Sequence, residues 1–241
     1  MAKHGKKYEE ALKKVDDERL YTVEEASSLL KDVAFANFDE TVELHARLGI
    51  DPRQADQAVR SNVILPYGSG KQVRVLVFAA GEAERAALDA GADYAGVDEY
   101  VAQINNGWLE FDATVAMADQ MGKVGGLGRI LGRRGLMPNP RSGTVVREVA
   151  DLPDVIRELK GGRVEFRNDR TGNVHVVLGK KSFTADQIQG NLLAVVDAIN
   201  RSKPSGVKGI YCRTLTVATS MGPGIALDVN DTLAKASAVG Q

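Results

Sequence analysis

From Thr41 to Leu48 polar and apolar residues alternate without a break, with Thr41, Glu43, His45 and Arg47 on one side and Val42, Leu44, Ala46 and Leu48 on the other. A period of two predicts a strand with one covered and one open face. Upstream, Thr22-Val-Glu-Glu25 has the spacing of a capping box, in which hydroxyl and carboxylate satisfy each other's orphan amides. A helix is expected from that point to about Lys31, with Val23, Ala26, Leu29 and Leu30 along one side. The first 14 residues carry five lysines and His4 without an apolar period and read as a loose arm. Asn62–Leu65 reads as a partner strand closed by Pro66.

The texture changes at Tyr67-Gly-Ser-Gly70. Val73–Ala79 is a nearly continuous apolar run, the pattern of a strand covered on both faces. An Ala-rich helix from Glu82 to Ala90, a short strand near Tyr94, a helix from Asp98 to Asn105 and a strand at Ala113–Ala118 follow. This alternation predicts a small three-layer α/β domain with mostly parallel strands. Asp151-Leu-Pro-Asp then opens a helix, with Asp151 as cap and Pro153 in the first turn, ending at Gly161-Gly162. Arg163–Asn168 and Asn173–Gly179 read as a hairpin turning through Asp169-Arg-Thr-Gly172. Thr184-Ala-Asp-Gln187 is a second capping box, opening a helix through Ile199, and Ile210–Ala218 is a final alternating strand. Small, polar residues from Asn230 to Gln241 suggest a poorly ordered end.

The two ends of the chain thus share one style, antiparallel strands with a polar face backed by helices, and the middle has another. The simplest architecture is a discontinuous domain from residues 1–67 plus 160–241 with a domain of residues 68–159 inserted in it. The two chain crossings near Pro66 and Lys160 would form a hinge.

The chain has 241 residues, 44% hydrophobic and only 5% aromatic, with a formal net charge of −1. That balance predicts an ordinary globular protein. One cysteine, Cys212, excludes an internal disulfide framework and fits a reducing compartment. No apolar run approaches the roughly 18 residues of a membrane helix, and the basic amino terminus lacks a signal peptide's apolar segment. A cytoplasmic protein without a membrane partner is expected. The near-zero charge by itself argues against a nucleic-acid partner, but it is a cancellation. Residues 82–119 hold nine acids against Arg85 alone, whereas residues 120–147 hold six basic residues and no acid. A second basic cluster runs from Lys160 to Lys181. Segregated charge creates local potentials that a polyanion meets.

Catalytic motifs fail one by one. Gly68-Ser-Gly-Lys71 lacks the glycine and the Ser/Thr of a phosphate loop, since Leu65 and Gln72 stand there. Gly126-Leu-Gly128-Arg-Ile-Leu-Gly132 has one residue too many for a dinucleotide fingerprint and no strand directly before it, although glycine-rich backbone among arginines can approach phosphates. His4, His45 and His175 share no metal-ligand spacing. No enzyme, cofactor or metal is expected. What remains is a polar sheet face presenting Thr41, Glu43 and His45 from one strand and Arg163, Arg167 and Asn168 from another, with Lys180 and Lys181 beyond the hairpin. Such a face suits RNA read through phosphates, 2′-hydroxyls and base edges, and it equally suits an ordinary solvated sheet.

Several segments stand out as motifs: Phe38-Asp-Glu-Thr-Val-Glu-Leu-His45, Val59-Arg-Ser-Asn-Val-Ile-Leu-Pro66, Gly70-Lys-Gln-Val-Arg-Val75, Ala90-Gly-Ala-Asp-Tyr94, Gly162-Arg-Val-Glu-Phe-Arg-Asn-Asp169 and Thr219-Ser-Met-Gly-Pro223. The most specific is Leu127-Gly-Arg-Ile-Leu-Gly-Arg-Arg-Gly-Leu-Met-Pro-Asn-Pro140. Together they resemble the large-subunit ribosomal protein one family in its bacterial form, and the likeness is collinear from about residue 5 to 228. It implies an α/β (α+β) fold, a split ferredoxin-like domain with an inserted Rossmann-like one. It also implies a monomer within the large ribosomal subunit that binds 23S rRNA at a mobile stalk, assists release of exit-site tRNA and represses its own operon mRNA. The RNA contacts it implies fall on Phe38, Thr41, Glu43, Thr219, Ser220, Met221 and Gly222, completed by Arg163, Arg167, His175 and Lys180. Lys123, Arg129, Arg133 and Arg134 would face RNA or tRNA when the stalk closes. The alternatives are a nucleotide-dependent enzyme using Gly126–Gly132 and a protein-binding scaffold using the acidic 82–119 surface.

Overall fold

The computed structural model describes residues 5–239, so His4 and Gln241 lie outside the described residues. In chain order the elements are α1 (Lys6–Leu12), α2 (Val23–Val33), β1 (Thr41–Leu48), β2 (Arg60–Ile64), β3 (Val75–Phe78), α3 (Glu82–Asp89), β4 (Tyr94–Ala95), α4 (Asp98–Asn105) and β5 (Ala113–Met117). There follow α5 (Met121–Val124), α6 (Gly128–Arg133), β6 (Val145–Val146), α7 (Leu152–Lys160), β7 (Arg163–Arg167), β8 (Asn173–Lys180), α8 (Ala185–Arg201), β9 (Cys212–Thr219), β10 (Ile225–Leu227) and α9 (Val229–Val239). The chain divides into two compact units, one from its two ends, up to Lys71 and from Gly162 onward, the other from Gln72–Gly161.

In the unit built from the ends, an antiparallel sheet has the order β10-β9-β1-β8. The alternation in β1 does what its period requires: Val42, Leu44, Ala46 and Leu48 are buried, each at 1% exposure or less. They meet Val174, Val176 and Leu178 of β8 and Leu215 and Val217 of β9, and α2 and α8 close the core with Leu30, Val33, Ile188, Leu192 and Val196. Both capping boxes form, Thr22 with Glu25 and Thr184 with Gln187.

Several expectations are corrected. The amino-terminal arm holds helix α1, docked through Ala11, with Val15 buried just beyond its end, too few apolar positions to register as a period. The carboxyl-terminal end is helix α9, docked by the small residues Thr232 and Ala236 and tied to α2 by Lys235, which bridges Glu24 and Asp231 at 2.8 and 2.9 Å. Small residues give little hydrophobic signal in sequence, yet they let helices approach closely. Asp151 makes no side-chain cap, because it closes a 3-10 turn, Val149–Asp151, that runs directly into α7. β2 does not pair with β1; it forms a separate two-stranded sheet with β7. Accordingly β7 and β8 are not a hairpin ladder but share one bridge, Asn168 with Val174. Asn168 Oδ1 accepts from the Val59 amide at 2.7 Å, which draws β7 toward β2. Asp169 accepts from the amides of Thr171 and Asn173 at 2.8 and 2.7 Å, which turns the chain.

The middle unit has a parallel sheet in the order β4-β3-β5-β6. β3 explains its own apolar run: Val75 and Val77 enter one core with α3 and α7, and Leu76 and Phe78 enter another with Ile104, Leu127 and Leu131. Both faces are covered, so three layers result. The glycines of the Gly126–Gly132 segment sit in helical backbone spanning the turn at Gly125–Leu127 and α6, with nothing near where a Cβ would stand. The segment is therefore helical and lacks the glycine-rich turn directly after a strand that a dinucleotide fingerprint requires.

Cys212 is buried, and burial pushes its thiol up to about 11. Alkylation by iodoacetamide at pH 8 should be on the order of 100-fold slower in the folded chain than in urea, because only the thiolate reacts. Equal rates would show that the thiol is accessible.

Candidate nucleic-acid interface

β1 lies between β8 and β9, so its outward residues form the axis of an open face. Glu43 stands opposite Val177 and Ala218, His45 opposite His175 and Thr216, and Arg47 opposite Asn173 and Thr214. Arg47 hydrogen-bonds to the Thr171 carbonyl and, at 3.1 Å, to Asn173 Oδ1. His45 and His175 meet Nδ1 to Nδ1 at 2.8 Å with their rings edge to face. Burial and the neighbouring His175 lower the His45 pKa, opposed by the charge of Glu43.

At the start of β1 the contacts converge. Lys180 Nζ donates to the Thr41 hydroxyl at 2.8 Å. The Ser220 amide donates to the Thr41 carbonyl at 3.0 Å, and the Thr41 amide donates to Ser220 Oγ at 3.1 Å. Glu40, one residue earlier, is fully buried. Its two carboxylate oxygens accept separately from the amides of Ala36, at 2.8 Å, and Met221, at 3.0 Å. Burial alone would raise the Glu40 pKa; hydrogen bonds from Thr219, Ala36 and Met221 and the charge of Lys181 outweigh it and hold the carboxyl below its ordinary value. One buried carboxylate thus locks two segments 181 residues apart in the chain. Each segment carries a large apolar side chain left in solvent, Phe38 at 54% and Met221 at 51% exposure. Neither is a core residue.

The other site residues divide between exposed and internally engaged. Thr219, expected to bond RNA itself, is buried, with its hydroxyl shared by Glu40 and the Gly222 amide, so it supports the segment from within. Gly222 has a local reason to be glycine: a Cβ there would stand 2.5 Å from Thr219 Oγ1. Arg163 and Arg167 do not share a sheet with Thr41, since β7 pairs with β2, whereas Asn168, one residue beyond β7, bridges Val174 of β8. Asn168 spends its amide on Val59 and on the Asp169 carbonyl. Arg167 and Arg170 instead line an open cleft of about 760 Å³ together with Asp169 and His175. In the middle unit Arg129, Arg133 and Arg134 are exposed on α6 and just beyond its last residue, while Lys123 is paired with Asp98 at 2.7 Å.

Glu40 is the residue of this candidate site that strand reading missed, although a signal was there. Counting back from Leu48, residue 40 falls in the phase of the covered positions, and an acid in that phase needs buried partners.

The comparisons agree on one family. The chain matches the ribosomal protein L1p/L10e family over residues 30–223. It is 64% identical to a large ribosomal subunit protein uL1 of Thermomicrobium roseum over 236 residues, which cover 98% of each chain. It is 58% identical to a protein of that name from Chloroflexus aurantiacus, covering 95% of this chain and 96% of the relative. With the Thermus thermophilus protein of that name the identity is 52%, covering 95% and 99%. A match over most of the chain, with relatives that align almost end to end, leaves one conclusion: the chain belongs to the ribosomal protein L1p/L10e family, ribosomal proteins rather than enzymes.

Proposed function

We propose that the chain is a component of the large ribosomal subunit that docks a folded element of 23S rRNA on the open face of its four-stranded sheet. The observation that carries this reading is the pair of exposed apolar side chains, Phe38 and Met221, on segments clamped by buried Glu40 beside Thr41, Lys180 and Ser220. A preformed platform loses little entropy on binding, and apolar side chains beside hydroxyls and amides suit nucleotide faces and riboses. The same face serves a similarly folded element in the operon messenger RNA, where binding represses translation. Exposed Arg129, Arg133 and Arg134 serve exit-site tRNA and its release, which the two-unit division of the chain accommodates.

Affinity here comes more from specific contacts than from bulk charge, since Arg47 is engaged internally and the chain is close to neutral. Met221→Ala and Ser220→Ala should each weaken binding to a stalk-type 23S fragment by about 1–3 kcal/mol. A filter-binding titration across salt concentrations measures this, and the salt slope counts the phosphate contacts. Unchanged affinity in both variants would remove the interface from this face.

A further inference from the structure

The geometry points to a second kind of ligand on the sheet, a divalent transition ion of the Cu²⁺ type held by His45 and His175. The two residues are direct partners in the β1–β8 ladder, 130 positions apart in sequence, and their Nδ1 atoms already converge at 2.8 Å. Two nitrogens each about 2.0–2.1 Å from one ion subtend close to a right angle at that separation. This is the cis angle of a tetragonal or octahedral ion rather than the wider angle of a tetrahedral one, and Cu²⁺ heads the affinity order for imidazole donors.

In the metal-free chain one ring donates its Nδ1–H to the other, whose Nδ1 holds a lone pair. Moving that single proton to the donor ring's Nε2 frees both Nδ1 lone pairs without net loss of a proton, and the rings then turn from facing each other to face one ion. His175 has a carboxylate on its far side, Asp169 Oδ2 at 3.9 Å from Nε2. At that distance, beyond hydrogen-bond reach, it places negative charge behind the imidazole without fixing the tautomer. Asp169 is itself held by Thr171 and Asn173. Both ligands stand on adjacent hydrogen-bonded strands, so the pair is preorganised, and the ion's other positions open to solvent. Among the described residues no group of three such ligands exists, so the site is bidentate, completed by water. This inference does not depend on RNA binding.

The test uses the full chain carrying His4→Ala, which leaves His45 and His175 as its only histidines. Titration with Cu²⁺ alone, followed by calorimetry and by electron paramagnetic resonance, should show one equivalent bound with splitting from two nitrogens. His45→Asn and His175→Asn, which keep a polar side chain in the ladder, should each weaken binding at least about tenfold, the lower end of the loss seen even for an outer-shell partner. A spectrum with fewer than two nitrogens, or affinity unchanged in either variant, would overturn the site.

Discussion

Glu40→Ala is expected to destabilise the unit built from the chain ends by about 3–5 kcal/mol, the cost of breaking a buried, hydrogen-bonded charge. The variant leaves the part-buried amides of Ala36 and Met221 without their acceptor and the Thr219 hydroxyl with the Gly222 amide alone. Glu40→Gln keeps one acceptor oxygen and should lose less, about 1–3 kcal/mol. The pH dependence separates charge from shape. Because the folded-state pKa is lowered, the ionised carboxylate contributes its stability above the ordinary value of 4.5 and loses it as pH falls through the lowered value. The gap between the parent and Glu40→Gln should therefore be full at pH 7 and narrow below pH 4.5. Urea unfolding of the three proteins at both pH values measures it, and a gap that does not narrow would assign the loss to packing. Since Met221 is presented by this contact, both variants should also bind the 23S fragment more weakly than the parent under conditions where they remain folded.

The second large effect is expected at Asn191, a fully buried amide in the interior of α8. Its Oδ1 accepts from the Tyr67 amide at 3.0 Å, and its Nδ2 donates to the carbonyls of Gly68 and Leu178 at 2.9 and 2.7 Å. One side chain thus satisfies the backbone where the chain leaves this unit and joins it to the end of β8. Nearby, Gly162 at φ 105 leaves the room in which Gly68 passes, since a Cβ there would stand 2.5 Å from the Gly68 Cα. Asn191→Leu keeps the branching and the number of side-chain heavy atoms, with bulkier ends, but leaves three backbone groups unpaired, and about 3 kcal/mol should be lost after the apolar gain. For a unit of this size that lowers the melting temperature by roughly 6–12 °C. A calorimetric scan checks it, and a shift below about 2 °C would mean that the backbone groups find other partners.

Much of the fold was legible because its determinants are local. Thr22 and Glu25 lie one turn apart, and so do Thr184 and Gln187, so each helix start is encoded within four residues. The alternation in β1 and the unbroken run in β3 report how many faces are covered, which separates the half-open sheet from the three-layer one. The terminal helices escaped notice because Ala11, Thr232 and Ala236 dock through small surfaces. The partners of β2 and β7 escaped because any two strands of suitable pattern are candidates until backbone and side-chain groups elsewhere, here Val59 and Asn168, decide between them.

The candidate site divides along the same line. The segments Phe38-Asp-Glu and Thr219-Ser-Met-Gly identified the family and marked where to look, and Thr41 and Glu43 lie on the open face that their period assigns. Sequence by itself determined most of the elements, the covered and open faces and the family, since each is written in neighbouring residues or in a collinear series of motifs. Tertiary structure alone decided that Glu40 clamps Met221, that Thr219 turns inward, that Arg163 and Arg167 belong to another sheet and that His45 meets His175. The physical reason is that buried polar groups must find partners wherever the chain brings them. Those partners lie 100 or more positions away, beyond the reach of any local pattern.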